Sequence, residues 1–241
     1  VSKGYIFLLI KIFYRVIGFE IFAESKIINI LFVFGLMGMI FGSLSAIKEN
    51  DIRRMISFSS VAQIGYIYMG FGLGTEIGMV ASVFHILSHA ATKSLLFVSA
   101  IGLTDVSRGS RKFQDLTGAA YRNRIAGVGF TVGSLSMVGV PLFSGFVSKL
   151  LFAQASIGHS YKMLPALIVL GISTILNAIY FMKTVIRIYV PEDQPECCRI
   201  TIGSEKVYAF TIAAFICLNV ALGMLSQPFV ELITGGLGMF G

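Results

Sequence analysis

Residues 125–158 read IAGVGFTVGSLSMVGVPLFSGFVSKLLFAQASIG, an apolar run whose only ionisable side chain is Lys149. A helix crosses the hydrocarbon core of a bilayer with about 20 residues, so this run exceeds one crossing. Val140-Pro141 together with Ser144-Gly145 supply a break near its middle, because proline cannot continue a helix without losing a hydrogen bond. The run is therefore read as two spans, 124–140 and 141–158, with Lys149 eight residues past Pro141. At 1.5 Å per residue that is about 12 Å along a helix, which puts Lys149 near the bilayer midplane.

The same pattern extends in both directions. Apolar stretches bounded by polar breakers predict further spans at 1–18, 27–47, 53–73, 76–103, 162–190 and 206–227. With these the chain reads as an all-α, polytopic transmembrane helix bundle of about eight spans. Polar loops fall at 19–26, 48–52, 104–123 and 191–205. The longest carries Arg108, Arg111, Lys112 and Arg122, with Arg124 at its far edge, and the positive-inside rule assigns it to the cytoplasm.

Composition agrees. Of 241 residues, 56% are hydrophobic and 13% charged, about half the roughly 25% charged share of a soluble domain, and mean hydropathy is +0.84. Eight spans leave no stretch large enough for a soluble catalytic domain. The formal charge of +7 is explained by topogenic loops, and no nucleic-acid motif accompanies it. Cys197 and Cys198 are adjacent in a polar loop and Cys217 lies in a span, so neither a zinc pattern nor a disulfide framework is present. Gly70-Phe71-Gly72-Leu73-Gly74 looks like a dinucleotide fingerprint, but it ends a span instead of following a strand, and reads as a helix end with a tight turn. The chain begins at Val1 inside an apolar segment, which reads as a fragment of a longer subunit.

Ionisable groups in hydrocarbon cost at least about 2.5–3.5 kcal/mol on insertion scales, so those inside spans are the functional candidates. They are Lys3 and Lys11 in the first span, His85, His89 and Lys93 in the fourth, Lys149 in the sixth and Lys183 in the seventh. Lys11 and Lys183 lie near span ends, where a lysine can snorkel to the headgroups. His85, His89 and Lys93 follow an i, i+4, i+8 spacing, one row on a helix covering about 12 Å of depth. One histidine in a span reads as an interhelical hydrogen-bonding residue; three titratable groups on one stripe read as a relay. A metal reading of His-x-x-x-His lacks a third ligand nearby, and no metal or cofactor is expected.

Carboxylates are scarce beside these cations: none occurs between Asp115 and Glu192, and Glu76 is alone between Ile52 and Thr104. Lysine suits proton exchange because burial disfavours its charged form and a nearby carboxylate restores it, whereas arginine stays protonated throughout. The missing carboxylate is expected from an absent N-terminal part or a neighbouring subunit. In Asn50-Asp51-Ile52-Arg53-Arg54, Asp51 is a good N-cap, but Arg53 and Arg54 oppose the helix dipole, so helix stability does not account for them. Gly145 and Pro141 near Lys149, and Gly4 beside Lys3, fit discontinuous helices, which transporters use to expose backbone groups at ion sites.

Three stretches carry a resemblance: Asp51-Ile-Arg-Arg-Met-Ile-Ser-Phe-Ser-Ser-Val-Ala-Gln-Ile-Gly-Tyr66, Phe84-His-Ile-Leu-Ser-His-Ala-Ala-Thr-Lys-Ser-Leu-Leu-Phe97 and Gly139-Val-Pro-Leu-Phe-Ser-Gly-Phe-Val-Ser-Lys149. In this order and separation the chain resembles the C-terminal half of the antiporter-like subunits of respiratory complex I, a family that includes Mrp-type cation/proton antiporters and membrane-bound hydrogenase subunits. The resemblance implies an inverted-repeat transporter fold with a broken helix in each repeat: residues 1–50 end the first repeat, 51–190 form the second, and 191–241 hold a polar loop and a final helix. It implies that Lys3 and Lys149 are the broken-helix lysines and that His85, His89 and Lys93 form the central relay. Arg53 stands where many members have lysine, keeping charge but losing titration.

The function so implied is a proton-translocating subunit of a redox-driven complex, of NADH:quinone oxidoreductase or hydrogenase type. Such a chain has no catalytic site of its own and moves protons along Lys, His and water. An Mrp-type sodium/proton antiporter subunit and a purely structural membrane module are the alternatives. The expected partners are other membrane subunits, protons or sodium and the lipid bilayer, with no nucleic acid, in the cell membrane.

Overall fold

The computed structural model describes residues 2–157, 161–191 and 205–238. Cys197, Cys198 and most of the 191–205 loop lie outside the described residues, as does the side chain of Lys3. The helices are α1 (Ser2–Ile12), continued by a π-helical turn at Phe13–Ile17, α2 (Phe19–Glu24), α3 (Ile27–Lys48), α4 (Ile52–Gly72) and α5 (Glu76–Asp105). After a 3-10 turn at Phe113–Leu116 come α6 (Ala119–Arg122), α7 (Arg124–Val138), α8 (Ser144–Ile157), α9 (Met163–Ile188), α10 (Lys206–Met224) and α11 (Ser226–Gly238). By length and composition, α3, α5, α9 and α10 are each sufficient to cross a membrane.

The polarity of the bundle is that of a membrane protein. On α9 the residues Ile168, Ile172, Ile175 and Ile179 are exposed, while Ser173, Asn177, Tyr180 and Thr184 are buried. Apolar side chains thus face outward and polar ones inward, as a lipid solvent requires. Helices α3 and α4 run antiparallel at glycine-limited distance: a Cβ on Gly42 would lie 2.5 Å from the Ala62 nitrogen, and one on Gly65 2.6 Å from that of Met39. Small residues at such interfaces let backbones approach and gain dispersion contacts that lipid cannot supply.

One end of the bundle is basic. The starts of α4 and α7 and the ends of α3, α5 and α9 collect there with Arg53, Arg54, Arg111, Arg124 and Arg187. The connector after α5 is laced to the α3–α4 turn by Ile52 N donating to Arg111 O and Phe113 N to Asn50 O, both 3.0 Å. Asp51 caps α4, its Oδ1 accepting from Arg53 N (2.8 Å) and Arg54 N (3.1 Å), which satisfies donors that the first turn leaves open. Asn123 does the same for α7, accepting from Ala126 N at 3.0 Å.

The run from Ile125 to Gly158 forms α7 and α8, with the break at 139–143. It makes one crossing in two pieces, not two crossings. Ser136 before the break lies 3.2 Å from Thr92, and Ser144 after it accepts from Ser88 at 2.8 Å, one turn nearer the start of α5, to which the run is antiparallel. The chain therefore keeps its direction through the break. Pro141 sits in the break, whereas Ser144 and Gly145 open α8. Gly139 adopts φ +92° and Leu142 φ +93°, the second in a region costly for a side-chain-bearing residue. Gly4 marks no discontinuity, since α1 runs through it.

At the C-terminus α10 is followed by α11, where the hydropathy pattern suggests one final helix. Pro228 lies in the first turn of α11, where its missing N–H costs nothing; inside a continued α10 it would break the ladder. The Gly70–Gly74 run ends α4 and turns through Gly74 at φ +67°.

Candidate functional site

The spacing of α5 places His85, His89 and Lys93 on one buried face, at 3%, 3% and 5% exposure. The two imidazoles are nearly parallel, with centroids 5.9 Å apart and planes inclined by 8°. His85 also stacks on Tyr66 of α4 at 5.5 Å and meets the edge of Phe152 of α8 at 5.4 Å. Its Nδ1 is 2.9 Å from Ser148 Oγ, the residue before Lys149. At the other end of the row, Lys93 Nζ donates to Ile56 O at 2.8 Å and to Ser59 Oγ, and lies 5.9 Å from the Phe181 ring centre. The row thus links α4 to the first turns of α8. The Lys93 backbone is twelve residues, about 18 Å of helix, from the end of α5 at the basic end, and its ammonium reaches back to the level of Ile56 and Ser59 in the first two turns of α4.

Lys149 lies on α8 at 9% exposure and reaches back across the break. Its Nζ donates to Met137 O (3.0 Å) and Val138 O (2.6 Å), carbonyls of the last turn of α7. These are groups that a helix end leaves without intrahelical donors, and they carry the negative end of the helix dipole. The sequence suggests a carboxylate partner from elsewhere; the bonds seen here come from the backbone of the chain's own broken helix. Gly139 is required beneath the lysine, because a Cβ there would lie 3.0 Å from Lys149 Cδ on a residue already at positive φ. Gly145 is required beside it, since its Cβ would fall 1.8 Å from Ser136 O. Gly145, Pro141 and Lys149 therefore belong to one feature, the break.

A group that the sequence reading misses joins these pieces. Asn219 of α10, fully buried, presents its Oδ1 to the hydroxyls of Thr92 (2.8 Å), Ser136 (2.9 Å) and Ser144 (3.0 Å). One carboxamide oxygen so ties α5, the end of α7 and the start of α8 to α10. Nothing marks Asn219 in advance except a lone amide in an apolar span, where polar side chains act as interhelical glue. Replacing it by leucine, similar in size, is expected to cost about 1–3 kcal/mol by stranding buried hydroxyls. The change should appear as a lowered thermal midpoint of the purified assembly, and an unchanged midpoint would refute the role.

Other expected residues lie elsewhere. Arg53 donates to Thr104 Oγ1 at 3.2 Å, joining the start of α4 to the end of α5 at the basic end, away from the row. Arg54 pairs with Glu49 at 3.1 Å. Lys11 and Lys183 are exposed. Lys3 falls in α1, and its side chain lies outside the described residues. Among the described residues no group of three or more His, Cys, Asp or Glu is placed to hold a metal ion.

Residues 6–176 match the family described as NADH:quinone oxidoreductase/Mrp antiporter, TM. NADH-quinone oxidoreductase subunit N of Desulforudis audaxviator is 33% identical over 180 residues, which cover 73% of this chain and 35% of that protein. The Na(+)/H(+) antiporter subunit A1 of Staphylococcus epidermidis is 31% identical over 183 residues, covering 67% and 23% respectively. The matched region thus spans about a third and about a quarter, respectively, of the length of these two curated relatives. A chain of the Mrp complex from Dietzia sp. DQ12-45-1b superposes with a TM-score of 0.86 at 24% identity, over 98% of this chain and 51% of that one, and so shares the fold. With its buried row of His85, His89 and Lys93, its broken helix and a match over most of its length, the chain belongs to the NADH:quinone oxidoreductase/Mrp antiporter family of integral membrane proteins.

Proposed function

We propose that the chain is a proton-translocating part of a multi-subunit, redox-driven complex in the cell membrane. The observation that carries this reading is the buried row Lys93–His89–His85, continued through the His85–Ser148 contact to the turn that holds Lys149. These groups can each hold or release a proton, and they succeed one another at a helical pitch across the core of the bundle. Lys149 and the row are the proton-carrying side chains, with Lys3 as their counterpart in the preceding repeat, which ends within residues 1–50. Residues 51–190 form the next repeat. Gly145 and Pro141 shape the break, and Arg53 fixes the basic end, which faces the cytoplasm.

Relatives named as an NADH-quinone oxidoreductase subunit and as an antiporter subunit support membrane partner subunits. Similarity to the second favours an Mrp-type sodium/proton exchange as the other reading. The two separate in membrane vesicles carrying the assembled complex: redox-driven proton uptake that persists without sodium supports the first, and strict sodium dependence the second. In the same vesicles, Lys93→Met is expected to lower proton movement by about a hundredfold, the lower range for loss of a positioned proton-transfer group. Wild-type rates in assembled Lys93→Met would refute the row as a pathway.

A further inference from the structure

Where α4 meets α9, a line of buried polar side chains, Ser59, Gln63 and Tyr66 on α4 with Tyr180, Asn177 and Ser173 on α9, runs between apolar clusters, and it starts at a cavity. At the basic end a cavity of about 70 Å³ lies between the ends of α3 and α9 and the start of α4, lined among others by Glu49, Asn50, Met55, Tyr180, Lys183 and Thr184. A water needs about 10–15 Å³ by this measure, so several fit. The cavity is charged at its rim by Glu49 and Lys183, and Tyr180 forms part of its wall. The Tyr180 hydroxyl, beyond that wall, donates to Asn177 Oδ1 and meets the Ser59 side chain. Ser59 in turn accepts from Lys93 Nζ.

The two helices run antiparallel here, with Thr184 against Met55 and Tyr180 against Ser59. The next polar residues inward are Gln63 on α4, four beyond Ser59, and Asn177 and Ser173 on α9, three and seven before Tyr180. Further along α4 is Tyr66, which stacks on His85. Gln63 and Asn177 are at least 98% buried, yet Gln63 Nε2 and Asn177 Nδ2 have no hydrogen-bond partner among the described residues. Native interiors rarely leave buried amide donors unmatched, and where protein atoms do not serve them, ordered water does.

We propose that this α4–α9 seam is a hydrated inlet leading from the basic-end cavity, past Tyr180 and Ser59, to Lys93, with a branch past Gln63 and Asn177 towards Tyr66 and His85. The ligand is water, and the seam supplies protons to the row by way of the Tyr180 hydroxyl. This rests on the reading of the row as a proton pathway, but its hydration is testable separately.

Hydroxyl-radical footprinting of the intact wild-type complex, with radicals generated in place from water, labels side chains beside bound water. Tyr180 and Met55 are expected to be modified despite exposures of 3% and 1%, while Met39 and Phe130, at 0% in apolar surroundings, stay unmodified. Unmodified Tyr180 and Met55 would overturn the inlet whatever the fate of the pathway reading. A second measurement addresses proton supply. Tyr180→Phe keeps the ring and removes the hydroxyl, and should slow proton uptake about tenfold in vesicles where Lys93→Met is also measured. If Lys93→Met is impaired and Tyr180→Phe is not, the inlet fails as a proton route. If Lys93→Met is unimpaired, the pathway reading fails while the footprint still decides the hydration.

Discussion

In membrane vesicles containing the assembled complex, Lys149→Ala brings proton translocation to background, a fall of about a hundredfold or more, and Lys149→Arg does the same. The pair separates charge from titration. Alanine removes the cation and leaves Met137 O and Val138 O at the end of α7 without their donor, so part of its effect is structural, about 1–3 kcal/mol. Arginine restores a cation able to donate to both carbonyls but stays protonated at every working pH. If Lys149 only staples the break, Lys149→Arg should translocate protons at close to the native rate. If it also takes up and gives up a proton, both variants are silent. Native rates in assembled Lys149→Arg would end its assignment as a proton carrier.

Among the described glycines, Gly145→Ala is expected to be the most damaging addition of a single methyl group. The added Cβ would lie 1.8 Å from Ser136 O and 2.8 Å from Ser136 C, and both are backbone atoms that cannot swing aside. To restore contact distance α8 must move away from α7 by more than an ångström. That movement pulls Ser144 from Asn219, Ser148 from His85 and Lys149 from Met137 and Val138. Over-packing a core typically costs about 1–3 kcal/mol, and an obstacle made of backbone places this substitution at the upper end or beyond. The expected result is a lower thermal midpoint, reduced yield of assembled complex and loss of proton movement together. A Gly145→Ala complex with native midpoint and native transport would show that the two half-helices are not held as described.

The contrast between these residues and Asn219 shows what could be read before folding. The spacing of His85, His89 and Lys93 and the apolar lengths of α3, α5 and α9 are properties of single segments, and the structure keeps them. The break near Pro141 was equally visible, because proline and glycine act on their own backbone. Its consequence was not: hydropathy sees two apolar lengths, and only the succession of Ser136 and Ser144 along α5 shows that they make one crossing.

Periodicity along a helix says which residues share a face and leaves open what that face meets. The partners of Asn219 lie 75, 83 and 127 positions away, and the Lys93–Ser59 bond spans 34. Which atoms meet across such separations depends on the register between helices. That register is set where glycines let backbones touch, as Gly42 and Gly65 do for α3 on α4 and Gly145 does for α8 on α7. The sequence alone determined a membrane helix bundle with a buried row of titratable groups and a break beside a lysine. Only the tertiary structure decided that the lysine is held by the broken helix's own carbonyls, that one amide gathers three hydroxyls around the break, and that Ser59 meets both Tyr180 and Lys93, since each depends on contacts between separate helices.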